Sequence, residues 1–585
     1  MIRFHEYNIL RNYKNYMKSL FEKYRKIKIT AISLLLSLLI AFSSYSFVDN
    51  YFEISKNLDI FATLFRELNI NYVDETVPGD LMKTAIDAML ESLDPYTNYI
   101  PESEIEDYKF MTTGQYGGIG ALIQKRGDYI MISEPYQGFP AEKVGLKAGD
   151  IILEVNGKST KGKKPDEVSS ILKGQTGTVL KLIIKRDGEK KPLEFNLTRE
   201  EIKISSIPYY GMLNDEIGYI RFSSFTQNTG KEIKDAYASL VKDNPKMKGL
   251  VFDLRNNGGG LLNEAVNIAN IFIDKGTPIV STKGKLKERN NTYSTLNDVV
   301  DNKIPIVFVV NSGSASASEI LSGSMQDLDR AVIIGQRTYG KGLVQNVVPL
   351  SYNAQLKVTI AKYYIPSGRC IQAIDYSHRN EDGSVGKIPD SLITAFKTKN
   401  GRVVYDGGGI KPDIYIEPPV YSKIAASLVN KFYIFDYASQ YQLKHPVIAP
   451  AKDFVFSDED YSDFVAYISD KEYDYVTNSE RNLEEFKKNS ETEKYFDKIK
   501  SDYETLKAKI IHNKKEDLKT FKEEIKDLLK TEIVSRYYYQ KGKIQASLKS
   551  DIYIKRAIEV LNDKNLYTSI LKGTYKQSDQ KIDKN

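Results

Sequence analysis

Two short segments carry the residue types and spacings that acyl-transfer chemistry requires. In the first, IPIVFVVNSGSASASEILSGSMQD, an apolar run ends at Asn311, small residues follow, and a helix is predicted to begin near Ser316. That order places the Ser316 hydroxyl and the Ala317 N–H at a helix N-terminus, where the peptide dipoles favour negative charge. A nucleophilic serine needs this setting, because the attacked carbonyl becomes an oxyanion and its donors must already face it. The small Ala315 and Ala317 leave room for a substrate chain. Ser314, Ser316 and Ser318 would equally suit a plain helix cap, so this segment alone supports both readings.

The second segment is AVIIGQRTYGKGLVQNVVPL, with Lys341 between Gly340 and Gly342 at the head of an apolar strand. Burial there would disfavour the ammonium and lower its pKa, leaving an amine able to take a serine proton. In an extended strand Gln345 shares a face with Lys341 and could orient that amine. A solvated turn lysine is the other reading these residues allow.

Competing chemistries find less support. The S-x-x-K pairs Ser170 with Lys173 and Ser239 with Lys242 lie in predicted amphipathic helices and lack the accompanying motifs. There is no G-x-S-x-G elbow, and of His5, His378, His445 and His512 only His378 falls in the α/β part, inside the polar loop DYSHRNEDG. No two histidines stand at ligand spacing and no HExxH occurs, so neither a metal site nor a cofactor is expected. The single cysteine, Cys370, excludes an intramolecular disulfide and reads as a small buried hydrophobe. Net charge is +6 over 585 residues, and eight Lys or Arg lie in the first 28, so no nucleic-acid footprint is expected.

The elements that must position these residues follow from patterning. From 202 to 418 apolar strands alternate with amphipathic helices, which argues an α/β sheet flanked by helices. NNGGG at 256–260 and NSGSASAS at 311–318 fall where strands end, the usual place for sites in such sheets, and the Lys341 strand is assigned to the same sheet. From 116 to 198 short strands, Gly and Asp punctuation and one helix, DEVSSILKG, describe a small partly open barrel. Its Gly117 and Gly118 are expected to let backbone approach a ligand closely. Residues 52–93 read as helical up to the break at Asp94-Pro95. Residues 29–48 are uncharged, follow the basic KYRKIK, and are just long enough to span a bilayer, which predicts an anchor or a cleaved export signal. Beyond 421, heptad spacing at Phe496, Ile499, Tyr503, Leu506 and Ile510, and again at Leu518, Phe521, Ile525 and Leu528, predicts a helical hairpin or short coiled coil.

Two resemblances add to this. YGGIG, PAEKVGLKAGDIILEVNG and GTVLKLIIKR make residues 116–198 similar to a PDZ domain. That likeness implies a groove taking a substrate's C-terminal strand, with Tyr116, Gly117, Gly118, Ile119 and Gly120 forming the carboxylate turn. GSASASEI and YGKGLVQ, with Lys341 placed 25 residues after Ser316, together with DLRNNGGGLL, LDPYTNYI and AKYYIPSGRCIQ, resemble the C-terminal processing peptidases, or tail-specific proteases. The resemblance spans roughly residues 52–418. It implies Ser316 as nucleophile, Lys341 as general base, Gln345 as the residue orienting the lysine, and an oxyanion hole of Ala317 with Gly259 or Gly260. It also implies an accessory role for Asp327, against simple helix termination, and a substrate-sensing role for Arg186, against an ordinary exposed arginine.

The expected architecture is an α/β multidomain chain: a basic N-terminus and signal or anchor (1–48), a helical region (49–110), an inserted PDZ-like β-rich domain (111–200), a protease core (201–420) and a helical C-terminal region (421–585). The expected activity is serine endoproteolysis near the C-termini of exported proteins, inner-membrane anchored with the catalytic part in the periplasm, or free there if the signal is cleaved. Expected partners are protein or peptide tails and the membrane; the helical tail could be a dimer contact that gives a homo-oligomer, a lid or a partner-binding arm. A non-catalytic envelope scaffold binding C-termini is the rival reading.

Overall fold

The computed structural model describes the backbone of residues 2–575 except 381, 474 and 511–513, and the side chains of the same residues except 2–13, 15, 35–50, 107, 514 and 515. Two compact units divide the chain, Met1–Met89 and Leu90–Asn585. The first is dominated by one helix, Ile2–Asn71; the helix Pro78–Glu91 follows, so the expected 52–93 helix is interrupted at 72–77. Among the described residues no helix is long and apolar enough to cross a membrane. The expected anchor at 29–48 is helical, but its side chains from 35 on lie outside the described residues, so the structure gives the membrane segment no support.

The second unit is built on a six-stranded sheet. Strands Tyr209–Met212, Ile217–Arg221, Gly249–Asp253, Ile306–Val310, Val332–Gly335 and Ile414–Tyr415 lie in that order, all neighbours parallel except the first pair. Gly249–Asp253 and Ile306–Val310 are buried at every position, which is why they read as unbroken apolar runs. Helices Thr229–Asp243, Leu262–Phe272 and Ala317–Asp327 pack on one face, through residues such as Ile233, Ile268 and Leu321. The other face is covered by Ile552–Asn562 and Lys564–Leu571, so the last helices of the tail complete the core of the sheet.

Lys341 does not head a strand of this sheet, contrary to the sequence expectation. Its strand, Leu343–Pro349, pairs antiparallel with Gln355–Tyr364 in a second sheet that also holds Asn98–Ile100, Pro278–Gly284 and Asn291–Ser294. Leu343–Pro349 is only partly buried, as suits an antiparallel sheet with one open face rather than the doubly covered parallel one.

The inserted module has strands Ala121–Arg126, Tyr129–Pro135, Ile151–Val155, Val179–Lys185 and Leu193–Thr198 in sheet order, closed by the helix Pro165–Leu172 over a core of Ile130, Ile152 and Leu182. Ala121–Arg126 is an edge strand. The module is entered and left through one antiparallel ladder, Gln115–Gly118 against Glu200–Lys203.

The expected helical hairpin is present, with Asn478–Thr492 packed on Phe496–Ile510 across residues 493–495, and the helices around it form a globular cluster. Leu518, Ile525 and Leu529 are buried with Leu428, Tyr437 and Phe464, whereas in the helix Phe496–Ile510 only Tyr503 is buried and Leu506 stays exposed. Phe496–Ile510 packs mainly on Asn478–Thr492, with Tyr503 as its buried contact. The cluster also touches the module: Arg126 makes a two-pronged ion pair with Asp436 (2.7 and 2.6 Å), and Tyr539 Oη donates to Glu142 (2.9 Å).

Candidate active site

The turn after Ile306–Val310 is fastened to the loop after Gly249–Asp253. Ser314 Oγ donates to Leu254 O and Ser318 Oγ to Asn257 O, both at 2.8 Å, and Ala315 N–H donates to Asn257 O at 3.0 Å. Those two serines are fully buried and spend their hydroxyls on backbone. Ser316 differs. It lines a cavity of about 560 Å³ together with Lys341, Gln345, Lys357 and residues 258–262. Its backbone sits at φ 56°, ψ −114°, a region non-glycine residues enter only when their surroundings enforce it.

Two buried groups supply that enforcement. Glu319 is completely buried and accepts four hydrogen bonds: Oε1 from Thr338 Oγ1 (2.6 Å) and Gly340 N–H (2.7 Å), Oε2 from Ser316 N–H (2.8 Å) and Lys341 N–H (2.9 Å). Tyr363 Oη donates to Lys341 O (2.5 Å) and lies 3.2 Å from Ser316 O. One carboxylate thus gathers the N–H groups of Ser316 and Lys341, and one phenol their carbonyls. Neither residue stood out in the sequence. Glu319 had a usable signal, the S-x-x-E spacing of a capping box, whereas Tyr363 had only its place within AKYYIPSGRCIQ.

Burial pushes the Glu319 carboxyl up to about 7, against the four donors that favour its charge. Burial likewise lowers the Lys341 ammonium from 10.5 to about 8; the neighbouring Lys357 ammonium adds to this, while the carboxylates of Asp94 and Glu319 oppose it. Lys341 is half-buried and lines the cavity beside Ser316. Its Nζ lies 4.2 Å from the centroid of the Tyr96 ring. Gln345 reaches the same cavity just past a register shift between Val344 and Gln345, but its Nε2 donates to Thr359 Oγ1 (3.2 Å), and among the described residues it makes no hydrogen bond to Lys341.

Gly259 (φ 98°) packs against Ser316 so closely that a Cβ would lie 2.6 Å from Ala315 O, 2.8 Å from Ala317 N and 2.9 Å from Ser316 Cβ. Its own N–H donates to Asn257 Oδ1 (2.9 Å), whereas the N–H groups of Gly260 and Ala317 have no acceptor among the described residues.

The remaining expected residues lie elsewhere. Asp327 is buried at the far end of its helix, where it accepts from Arg369 (2.7 Å) and from Ser367 N–H (3.0 Å), holding the 365–370 turn. It neither simply ends a helix nor lines the cavity. Arg186 is held inside the module by Asp150 (2.7 Å to each oxygen) and Gly145 O (2.8 Å), neither free nor beside Ser316. Tyr116, Gly117 and Gly118 belong to the connecting ladder. There the space beside the glycines is taken by protein, since a Cβ on Gly117 would lie 2.1 Å from Gly174 O and one on Gly118 2.5 Å from the Tyr116 ring. Close packing, not ligand approach, explains those two glycines. Ile119 and Gly120 lead into the edge strand Ala121–Arg126, and their N–H groups have no acceptor among the described residues. His378 is exposed on Ile374–Arg379, paired with Asp375, and is not among the residues lining the Ser316 cavity.

Comparison with known proteins bears on this arrangement. The pattern of "Peptidase family S41" matches residues 216–378, a "PDZ domain" pattern matches 131–186, and "Probable PDZ-protease, C-terminal helical domain" matches 424–561. A "Carboxy-terminal-processing protease" of Bartonella bacilliformis is 39% identical over 324 residues, 54% of this chain and 73% of its own length. A "Probable CtpA-like serine protease" of Staphylococcus aureus is 36% identical over 371 residues, 63% of this chain and 66% of its own. Among solved structures, the photosystem II D1 C-terminal processing protease aligns over 62% of this chain and 93% of its own, at 28% identity and a TM-score of 0.33. With that degree of identity to the Bartonella protein, and the S41 pattern lying across the segments that hold Ser316 and Lys341, the chain belongs to the carboxy-terminal-processing proteases, serine peptidases of family S41.

Proposed function

We propose that this chain is an endopeptidase cutting protein substrates near their C-termini, with Ser316 as nucleophile and Lys341 as general base. The observation that carries it is the joint fastening of Ser316 and Lys341 by Glu319 and Tyr363 at one cavity. Neutral Lys341 takes the Ser316 proton as Oγ bonds to the scissile carbonyl carbon and the carbonyl π pair moves to oxygen. Ala317 N–H and Gly260 N–H are the free donors for that oxyanion, Gly259 being committed to Asn257. Collapse breaks the C–N bond, and Lys341 gives its proton to the leaving amine. Water then adds to the acyl ester, losing a proton to Lys341, which returns it to Ser316 Oγ as the acid product departs. Gln345, its Nε2 held by Thr359, keeps a carbonyl oxygen available to orient the amine.

The edge strand Ala121–Arg126 and the free N–H groups of Ile119 and Gly120 support capture of an unstructured tail by strand addition. Export and anchoring rest on the sequence of 29–48, and alkaline extraction of membranes tests them: release of the intact chain would overturn anchoring. The activity is tested with Ser316→Ala and Lys341→Met in the full chain on a peptide with a free C-terminus. Both are expected to lose cleavage at least 1,000-fold, about the scale of losing a triad member. Full activity in either would overturn the assignment.

A further inference from the structure

We propose that Tyr96 is a positioning residue for Lys341: its ring seats the lysine amine at the cavity wall and keeps water from it. The proposal rests on the reading of Lys341 as base. Tyr96 belongs to LDPYTNYI, whose turn is fixed from within. The buried Asp94 accepts the N–H groups of Tyr96 (2.8 Å) and Thr97 (2.9 Å) on Oδ1, and Thr97 Oγ1 (3.1 Å) on Oδ2. Thr97 Oγ1 in turn accepts Thr359 N–H (3.2 Å), and the following strand Asn98–Ile100 pairs with Gln355–Tyr364, the strand that also pairs with the one after Lys341. The turn is therefore locked to the sheet that carries the lysine.

The Tyr96 ring is locked as well. It meets the Tyr376 ring edge-on (centroids 6.0 Å, 89°), and its hydroxyl lies 3.4 Å from the hydroxyls of both Tyr376 and Tyr339. Burial, then those two neighbours, raise the Tyr96 phenol far above its ordinary value, so it stays neutral. Lys341 Nζ sits 4.2 Å over the face of this fixed ring.

A ring face suits a proton-relaying amine better than a carboxylate would. It offers the neutral amine no strong hydrogen bond, so the lone pair remains for the Ser316 proton. Its negative quadrupole still accommodates the ammonium that forms after transfer. A carboxylate at this distance would hold the lysine charged. The charged groups that face the amine from other elements are Lys357, Asp94 and Glu319, and none of them supplies this neutral surface.

The test is the pH profile of kcat/KM for Tyr96→Phe and Tyr96→Leu in the full chain, with Lys341→Met as reference. Tyr96→Phe keeps the ring and is expected to hold both rate and midpoint. Tyr96→Leu is expected to lose about tenfold or more in kcat with KM little changed, the scale of slightly misplacing a catalytic group. Its midpoint should move up toward the ordinary lysine value as water reaches the amine. If Tyr96→Leu fails to fold, Tyr96→Met is read in its place. An unchanged midpoint and kcat in the ringless variant overturns the proposal, as does a Phe variant impaired as much as Leu, which would mean that only the hydroxyl contacts matter. Activity in Lys341→Met would overturn the base assignment itself, and this proposal with it.

Discussion

Replacing Glu319 by glutamine separates activity from stability in a way the site geometry makes quantitative. Glutamine keeps the shape but carries one acceptor oxygen, so two of the four donors on Glu319 face an amide N–H₂ instead. Whichever way it turns, Ser316 and Lys341 cannot both keep their links to Gly340 and Thr338. A misplacement near 1 Å costs about 100-fold, and kcat/KM at pH 8.5 is expected to fall by at least that much. Stability should behave differently. The folded Glu319 pKa, about 7, lies above its ordinary 4.5, so desolvation outweighs the hydrogen bonds to the charged form. A group raised in the folded state contributes stability that is fully present below pH 4.5 and is lost as pH rises through 7. The shift corresponds to about 3 kcal/mol. Wild type should therefore lose about 3 kcal/mol of unfolding free energy from this group between pH 4.5 and 8.5, a loss the neutral glutamine lacks. Urea unfolding of both proteins at the two pH values, beside peptide cleavage, checks this. Parallel stability profiles, or cleavage within a few-fold of wild type, would refute the reasoning.

Lys341, lowered to about 8, accepts a proton only when neutral, so kcat/KM should rise through pH 8 to a plateau. Lys357→Gln removes one cause of that lowering and should move the midpoint up; a flat profile from pH 6 to 10 would exclude this base. Gly259→Ala places a Cβ 2.6 Å from Ala315 O at φ 98°, and should abolish both cleavage and fluorophosphonate labelling of Ser316 while tail binding to the module persists. Asp327→Ala leaves the Arg369 guanidinium buried without its carboxylate, which should cost about 3–5 kcal/mol on unfolding yet leave kcat of the folded fraction near wild type.

What the sequence disclosed was whatever depends on local order. Gly249–Asp253 and Ile306–Val310 announce themselves because strands buried on both faces must be apolar throughout, and the loops at their ends carry Gly259 and Ser316. Glu319 and Tyr363 were missed because their value lies in the groups that folding brings to them: Tyr363 is 47 residues from the Ser316 carbonyl it approaches. Gly117 and Gly118 show the opposite error, since a glycine required by close packing and one required by a ligand look identical until the neighbour is known. The Lys341 strand was given to the wrong sheet because LVQNVVPL is apolar enough for either, and only pairing decides. In the tail, apolar residues at heptad spacing also suit a globular helix cluster, and helix periodicity alone does not distinguish the two.

The tail helices divide sharply in how firmly they are held. Tyr553, Ile554, Val560, Tyr567 and Ile570 are buried against Val251, Val307 and Ile334, the second face of the main sheet. At about 2 kcal/mol for each large side chain removed from water, this docking contributes about 10 kcal/mol, comparable to the whole net stability of a domain. The same helix reaches the active-site loop, because Arg255 pairs with Asp253 (2.6 Å) and Asp551 (2.7 Å) and lies over the Tyr553 ring. By contrast, the upstream helix cluster meets the PDZ module through partly exposed polar links, Arg126 with Asp436 and Tyr539 with Glu142, each about 1 kcal/mol. If substrate moves the module, those links are the ones that open, while the final helices stay on the sheet. Ending the chain at residue 548 should therefore unfold the core and abolish Ser316 labelling, whereas Arg126→Ala should leave folding intact and change only how readily a tail stimulates cleavage. A stable, labelled truncation would refute this division, and so would an Arg126→Ala protein that fails to fold.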